Sequence, residues 1–452
     1  MNKKKWALLI ISCLVCMACF KLYYKKLQKN IVPASADYIA IIDVKRVINT
    51  ILWQIISTPS KWKVGNVFSS KDTTTVDWKD MVEIPDYVQV FHSKNQPTNI
   101  WYTVLAIKDT ADFNAGLKAY DFSTLANTEF ENGVIGLHIS VVDDFVLLSN
   151  AVLQDSTYHN AIKSELFKQK KYTSSQLIHN MLAAKSHVAL GIAANTYLQS
   201  VPIFTANFTN DEIKIKGQIL PKAIHQFSNE KITYCDSSLC TIAYSQALLN
   251  EICNSNIDAI QTISTALNVQ ADSFFLPTNK QYKIDVASFL PRIDSAISYT
   301  YDNNFNPTEK VITNQVIEPA YQFTALGNGI TNMFTYLQKS KKLEVTNTGN
   351  LFTAVPFVKS YCTVNKNYNS LYITANNYKP TVANKYIDAI AFVQLWVNKI
   401  PESLIKYLPT DVAAFMANVK AIQIKMYKNA NAITVEGTLY KKNINLPFYG
   451  EF

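Results

Sequence analysis

The sequence predicts an α+β protein: two tandem, similar modules of mainly antiparallel sheet with packed helices, after one N-terminal transmembrane helix. Three observations predict it. An apolar run opens the chain. Strand and helix periodicities then mix without a regular strand–helix–strand rhythm, which argues against a parallel sheet. Finally, four patterns recur in the same order in both halves of the 452 residues.

The opening run comes first. From Trp6 to Phe20 only Ser12 is polar, and Leu22, Tyr23 and Tyr24 follow Lys21. As a helix, Trp6–Tyr24 would be about 28 Å long, close to the hydrocarbon thickness of a bilayer. Lys21 can snorkel to the headgroups, and Trp6, Tyr23 and Tyr24 suit the two interfaces. An uncleaved anchor is the leading reading. A lipoprotein modified at Cys19 and a signal cleaved after Ala18 are the alternatives, and the three remain open. All three put the rest of the chain on the non-cytoplasmic side, in the periplasm or cell envelope. Lysines flank both ends, so charge alone does not orient the segment.

The net charge is +9, and residues 1–36 hold seven lysines and no acid, leaving 9 − 7 = +2 for the remainder. The bulk of the chain therefore lacks the basic surplus that nucleic-acid binding needs. Lys21 to Lys29 could touch anionic lipid heads or simply close a helix. Outside the opening run there are four cysteines, Cys235, Cys240, Cys253 and Cys362. They are too few for a disulfide framework, and "CDSSLC" leaves a short-loop bridge between Cys235 and Cys240 open beside buried free thiols.

The modules are read at 31–225 and 226–452, after an anchor and basic flank at 1–30. "EIKIKGQILPK" (212–222) and "AITVEGTLYKK" (432–442) match at an offset of 220, with Gly217 facing Gly437. "HVALGIAAN" (187–195) faces "DVAAFMANV" (411–419). "WYTVLAIKDTADFNAGLKAY" (101–120) resembles "AYQFTALGNGITNMFTYLQK" (320–339), each a strand, a break and an amphipathic helix. "VVDDFVLLSNA" (141–151) resembles "KNYNSLYITAN" (366–376), a strand, turn and strand. Each half thus opens with a strand and helix ("DYIAIIDVKRVINTILWQI", "LCTIAYSQALLNEIC"). A strand–helix–strand–strand unit comes next. A helical stretch follows ("NAIKSELFKQ", "YIDAIAFVQLWVNKI"), and a meander closes the module. The alternation in "IKIKGQIL" and "ITVEGTLY" implies one buried and one wet sheet face. The segment "HQFSNEKITYCD" (225–236) is expected at the junction.

A proline-led strand ("VPASADYIAIIDVKRV") after the apolar run, then "W-x-x-V-L-A-I-K-D-x-A-x-F", then a hairpin of the "DDFVLLSN" kind, resembles a family of large, uncharacterised Bacteroidota envelope proteins assigned to domains of unknown function. The resemblance spans most of the chain. It implies an envelope location and brings no catalytic residues.

No motif for chemistry stands out. "LGNGIT" (326–331) lacks the length and Lys of a phosphate loop; it reads as a strand-to-helix turn with Asn328 in left-handed backbone. "DNNFNPTEKVIT" (302–313) has Pro307 and Thr313 where a calcium loop needs Gly and Glu, and reads as a polar loop. The six histidines lack ligand spacing. Asp143 and Asp144 are adjacent acids, but their counterparts Asn369 and Ser370 share only turn-forming ability. No catalytic, cofactor-binding or metal-ligating residue is therefore assigned. The expected function is a membrane-anchored, non-enzymatic envelope protein that binds a protein partner or supports assembly. The alternative is a carrier of an apolar ligand or lipid between two sheet modules; a hydrolase with a dispersed site ranks third.

Overall fold

The alternation in "ADYIAIID" turns Ile39 and Ile41 to one side and makes β1 (Ala36–Asp43). Asp43 then stops the strand by capping α1 (Val44–Ser57): its Oδ1 accepts the Arg46 N–H at 2.9 Å. This computed structural model describes residues 25–57, 77–94, 96–97, 99–126, 128–150, 156–193, 198–209, 211–255, 265, 269–275, 278–301, 305–355, 358–379 and 385–442. Trp6–Tyr24 and Cys19 lie outside them, and no described helix is long and apolar enough to cross a membrane.

The described chain divides into two units, meeting in sequence at Ile219/Leu220. The first continues through α2 (Trp78–Met81), β2 (Val82–Glu83), β3 (Tyr87–Ser93) and β4 (Tyr102–Ile107). Asp109 caps α3 (Thr110–Ala119), accepting from the N–H groups of Ala111 and Asp112. Four short strands follow: β5 (Ser123–Ala126), β6 (Glu129–Asn132), β7 (Leu137–Val142) and β8 (Phe145–Ser149). Next come α4 (Ser156–Lys163), widening into a π-helical turn at Ser164–Lys168, and α5 (Ser175–Ala183). The meander β9 (Val188–Ile192), β10 (Ile203–Phe208) and β11 (Glu212–Ile219) closes the unit. Hydrogen bonding orders these antiparallel strands 5-6-7-8-4-3-1-9-10-11, with β2 on the end of β4.

The second unit has β12 (Glu230–Tyr234), β13 (Cys240–Ser245), α6 (Gln246–Ser255), α7 (Ala271–Phe274), β14 (Asn279–Tyr301), β15 (Pro307–Gly327) and α8 (Ile330–Lys339). It continues with β16 (Leu343–Thr346), β17 (Gly349–Phe352), β18 (Ser360–Asn365), β19 (Ser370–Ala375), β20 (Lys385–Ala389) and β21 (Ala391–Leu395). Then come α9 (Glu402–Ile405), α10 (Thr410–Asn418), β22 (Val419–Asn429) and β23 (Ala432–Lys441). Its main antiparallel order is 16-17-18-19-15-14-13-21-22-23, and β12 pairs separately with β20. The segment expected at the junction thus already contains a strand of the second unit.

Local details recur at the offsets read from the sequence. Each of α3 and α8 ends with a left-handed residue, Asp121 (φ 55°) and Lys341 (φ 57°). The next N–H reaches back five residues, Phe122 to Leu117 O and Lys342 to Leu337 O, both at 2.9 Å. The hairpin turns place Asp143 (φ 52°) and Asn369 (φ 44°) in the same left-handed conformation.

Four readings change. "YIDAIAFVQLWVNKI" is not helical: it forms β20, β21 and a 3-10 turn at Val397–Lys399. β21 lies between two strands, and four of Ala389, Ile390, Ala391 and Phe392 in a row are buried, so the apolar run loses its period of two. "DVAAFMAN" is α10, whereas "HVALGIAAN", to which the sequence matches it, contains β9; Pro409 precedes the helix and its alanines favour it. In 302–313, strand β15 begins at Pro307, because Thr308 to Thr313 pair with β14; 302–304 lie outside the described residues. In "LGNGIT" the positive φ falls on Gly327 (139°), not Asn328. Moreover, β4 and β8 are covered on both faces. Leu147 and Val104 meet Ile162 and Met181 of the α4–α5 side, while Val146 meets Phe113 and Leu117 of α3.

The core of the second unit gathers Tyr282, Phe274, Phe275 and Phe323 around Met333 and Leu337. Gly217 sits opposite Phe204 in the β10–β11 ladder, and Gly437 sits opposite Ile424 in β22–β23. A Cβ on Gly217 would run into the Phe204 ring. Gly217→Val is therefore expected to cost about 1–3 kcal/mol, from overpacking relieved only by moving that ring. Urea unfolding should show it beside an unchanged Gly133→Ala, where a Cβ meets nothing within 4 Å.

Candidate functional site

Two adjoining cavities of about 490 Å³ each lie in the first unit, sharing Leu182 of α5. Both are bordered by the segment that follows the apolar run. Such volumes fall in the range of small-ligand sites.

The first cavity has an ionic rim and an apolar floor. Asp43 accepts hydrogen bonds from Lys25 Nζ and, at 3.5 Å, Arg46 Nε. Asp86 accepts from Lys45 Nζ at 3.0 Å and from the Lys26 N–H at 2.6 Å. Lys25 also sits 5.5 Å from the Tyr87 ring centre. Burial, then the Asp43 charge, pushes the Tyr87 hydroxyl pKa up, so it stays protonated. Exposed Lys185 adds a further cation, and Ile41, Met181, Leu182 and Ala189 form the floor. The second cavity is lined by Leu27, Ile31, Val32, Tyr172, Ile178 and Leu182, with Gln89, Gln176 and His179 among its polar groups. An apolar chain fits this lining, and an anionic head fits the cationic rim beside it.

A buried polar cluster between β6, β7 and α4 has the residue types of a reaction centre. Ser140 Oγ lies 2.6 Å from His159 Nε2 and 3.4 Å from Glu129 Oε1, and Lys163 Nζ donates to the same Glu129 oxygen at 3.0 Å. His138 and His159 meet edge to face at 4.5 Å. Lys163, through its hydrogen bond, holds the Glu129 carboxyl below its usual range. Burial first and His138 second push the His159 pKa down to about 3. His138 is lowered mainly by burial as well. The ionised Glu129 accepts the Ser140 proton, so the neutral His159 donates from Nε2 and its Nδ1 remains a buried atom without a partner. Ser140 has no exposed surface. A serine sealed from solvent, turned toward a carboxylate, is a structural network rather than an activated nucleophile.

Apart from His138 and His159, which meet in that cluster, the residues singled out in the sequence do not converge. His92 bonds Asp37 at 2.6 Å, and His187 Nε2 meets Thr50 at 2.6 Å. Asp143 and Asp144 form a two-residue turn between β7 and β8. Cys235, Cys240 and Cys362 form no disulfide, and Cys235 Sγ lies 2.9 Å from Ser237 Oγ. Burial raises Cys240 to about 11 and Cys362 to about 12, which makes both poor nucleophiles. Among the described residues no group of three or more His, Cys, Asp or Glu could hold a metal. Asp43 escaped notice in the sequence, where the available signal was an acid directly ahead of a helical pattern, and Lys25 was read only as part of the basic flank.

Among the described residues the second unit carries a two-stranded extension that the first lacks. β14 and β15 run past their neighbours: β13 pairs with β14 no further than Val286, and β19 with β15 only from Gln322. From Ser288↔Ala320 to Tyr301↔Pro307 the two strands pair only with each other. This two-stranded arm is about 46 Å long at 3.3 Å per residue.

No family model matches the chain, and no curated protein matches it. A solved structure titled "Structure of crystal form III of TP0453" is 13% identical, covering 42% of this chain and 78% of that chain, with a TM-score of 0.27. That value is too low for a shared fold to follow from it.

Proposed function

We propose that this chain is a non-enzymatic protein of the cell envelope, tethered to the membrane through Trp6–Tyr24, with a binding or assembly role. Its two α+β units are read as copies of one ancestral module. The same strand order, the paired helix ends and the paired left-handed turns support that duplication. The observation that carries the assembly role is the arm of β14 and β15. An isolated two-stranded ribbon is marginal in water, so an arm of this length calls for something to cover it.

A carrier of an apolar ligand is the second reading. It is supported by the two cavities, which place apolar walls beside a cationic rim within the first unit. Native mass spectrometry of the full chain, extracted from its own membrane, separates the two. A retained protein subunit supports assembly, and a stoichiometric lipid supports the carrier. A bare monomer overturns both.

A further inference from the structure

The arm is amphipathic in a way its sequence alone does not reveal, because the faces depend on the register between its strands. Cross-strand partners share a face, and each face takes alternate residues. One face carries Phe289, Pro291, Ile293, Ile297, Tyr299 and Tyr301 from β14. Opposite them on that face stand Pro319, Ile317, Val311 and Pro307 of β15 with polar Gln315 and Glu309 between them, and Ser295 and Thr313 at the centre. The other face carries Arg292, Asp294, Ser298 and Thr300 with Thr308, Lys310, Asn314 and Glu318, beside a smaller apolar set of Leu290, Ala296, Ile312 and Val316. Arg292 is paired there with Glu318 at 2.7 Å.

Exposure follows the same division. Ile293 is 75% exposed, Ile297 61%, Tyr299 58%, Tyr301 69% and Val311 64%, against 38% for Leu290 and 41% for Ile312 on the polar face. We propose that this apolar face is a self-association surface, on which the arm of a second copy of this chain packs face to face. The inference rests on the assembly reading above and names its partner.

Three observations select a second copy. The first is area. The five exposed large apolar side chains of the face present on the order of 600 Å², the upper end of the largest apolar patch on a typical monomer. Two such faces together remove about 1,200 Å², the lower bound for a specific, stable interface. Contact through a two-fold axis at Ser295 and Thr313 sets Ile293 of one copy against Ile297 of the other and, on β15, Gln315 against Val311 and Glu309 against Ile317. The second is the edges. Pro291 lies on β14, and Pro307 and Pro319 lie on β15. Each proline removes an outward N–H near an end of the arm, which disfavours strand addition along its full length. The third is charge. The described arm has two cations, Arg292 and Lys310, against Asp294, Glu309 and Glu318. It lacks the cationic surplus that draws a segment to an anionic bilayer.

The test uses the full chain in its own membrane and after extraction. Ser295→Cys should cross-link two copies on oxidation, and Ser298→Cys, on the polar face, should not. Sedimentation should show a dimer that Ile297→Glu with Val311→Glu weakens at least tenfold, while Ile312→Glu leaves it intact. All these side chains except the half-buried Ser298 are exposed, so melting temperatures should hold. A dimer that persists in the double variant overturns the proposal. So does a wild-type monomer that binds phosphatidylcholine vesicles and loses them on Ile297→Glu, which gives the face to a bilayer. A monomer that keeps a different protein subunit in native mass spectrometry overturns self-association and leaves the assembly reading standing; a monomer with none overturns both.

Discussion

Gly327→Ala should be among the most damaging single changes in the second unit, lowering stability by about 3 kcal/mol or more. Gly327 ends β15 with φ 139°, a backbone that side chains other than hydrogen rarely adopt. A Cβ there would lie 2.5 Å from Asn279 Cα, 2.7 Å from Lys280 N and 2.9 Å from Asn279 C. All three are backbone atoms at the start of the partner strand, so no rotamer change relieves the clash. The residue cannot swing away either, since its N–H donates to Asn369 O at 2.9 Å and α8 begins three residues later. Urea unfolding should show the loss, with Gly133→Ala as the unstrained control. Equal midpoints for the two variants would sink this account of the turn.

Acid should destabilise the first unit well before its carboxylates titrate. His159 is held at about 3 in the folded chain, against an ordinary 6.5. Above pH 6.5 it is neutral folded or unfolded and contributes nothing. Between 6.5 and 3 the unfolded chain takes up a proton that the folded chain refuses, so stability falls as pH falls. The slope is about 1.4 kcal/mol per pH unit, or about 2 kcal/mol at pH 5. His138 and His187 are also lowered, chiefly by burial, and add in the same direction. The groups facing His159 are His138, Glu129, Lys163, Ser140 and Tyr102. Glu129, lowered by Lys163, adds its own loss only below its ordinary range near 4.5. Urea midpoints at pH 7 and pH 5 should differ by this amount in the wild type, and His159→Gln should remove most of the difference. A slope that His159→Gln leaves unchanged is the outcome that defeats the prediction.

The candidate site was less legible than the fold. Ser140 and His159 lie 19 positions apart and meet only because α4 packs across the β6–β7 hairpin. The cavity rim joins Lys25, Asp43, Tyr87 and Lys185, which no spacing rule connects. The arm's two faces needed a register that places Ile297 opposite Val311, while "DNNFNPTEKVIT" read by itself suggests a loop.

What the sequence by itself determined is local. An acid ahead of a helical period produced the caps at Asp43 and Asp109. Alternation produced β1, β4, β11 and β23, and short polar pairs produced the turns at Asp143 and Asn369. Each of these follows from backbone sterics and hydrogen bonds within a few residues. Tertiary structure decided the rest. Residues 391–395 become a strand because neighbouring strands bury them, erasing the alternation that would have marked them. Residues 411–418 become a helix, since nothing pairs with their edges and alanine favours the helix. Whether an apolar stretch is core, strand or exposed arm depends on what covers it, and burial is a property of the whole chain that no local window contains.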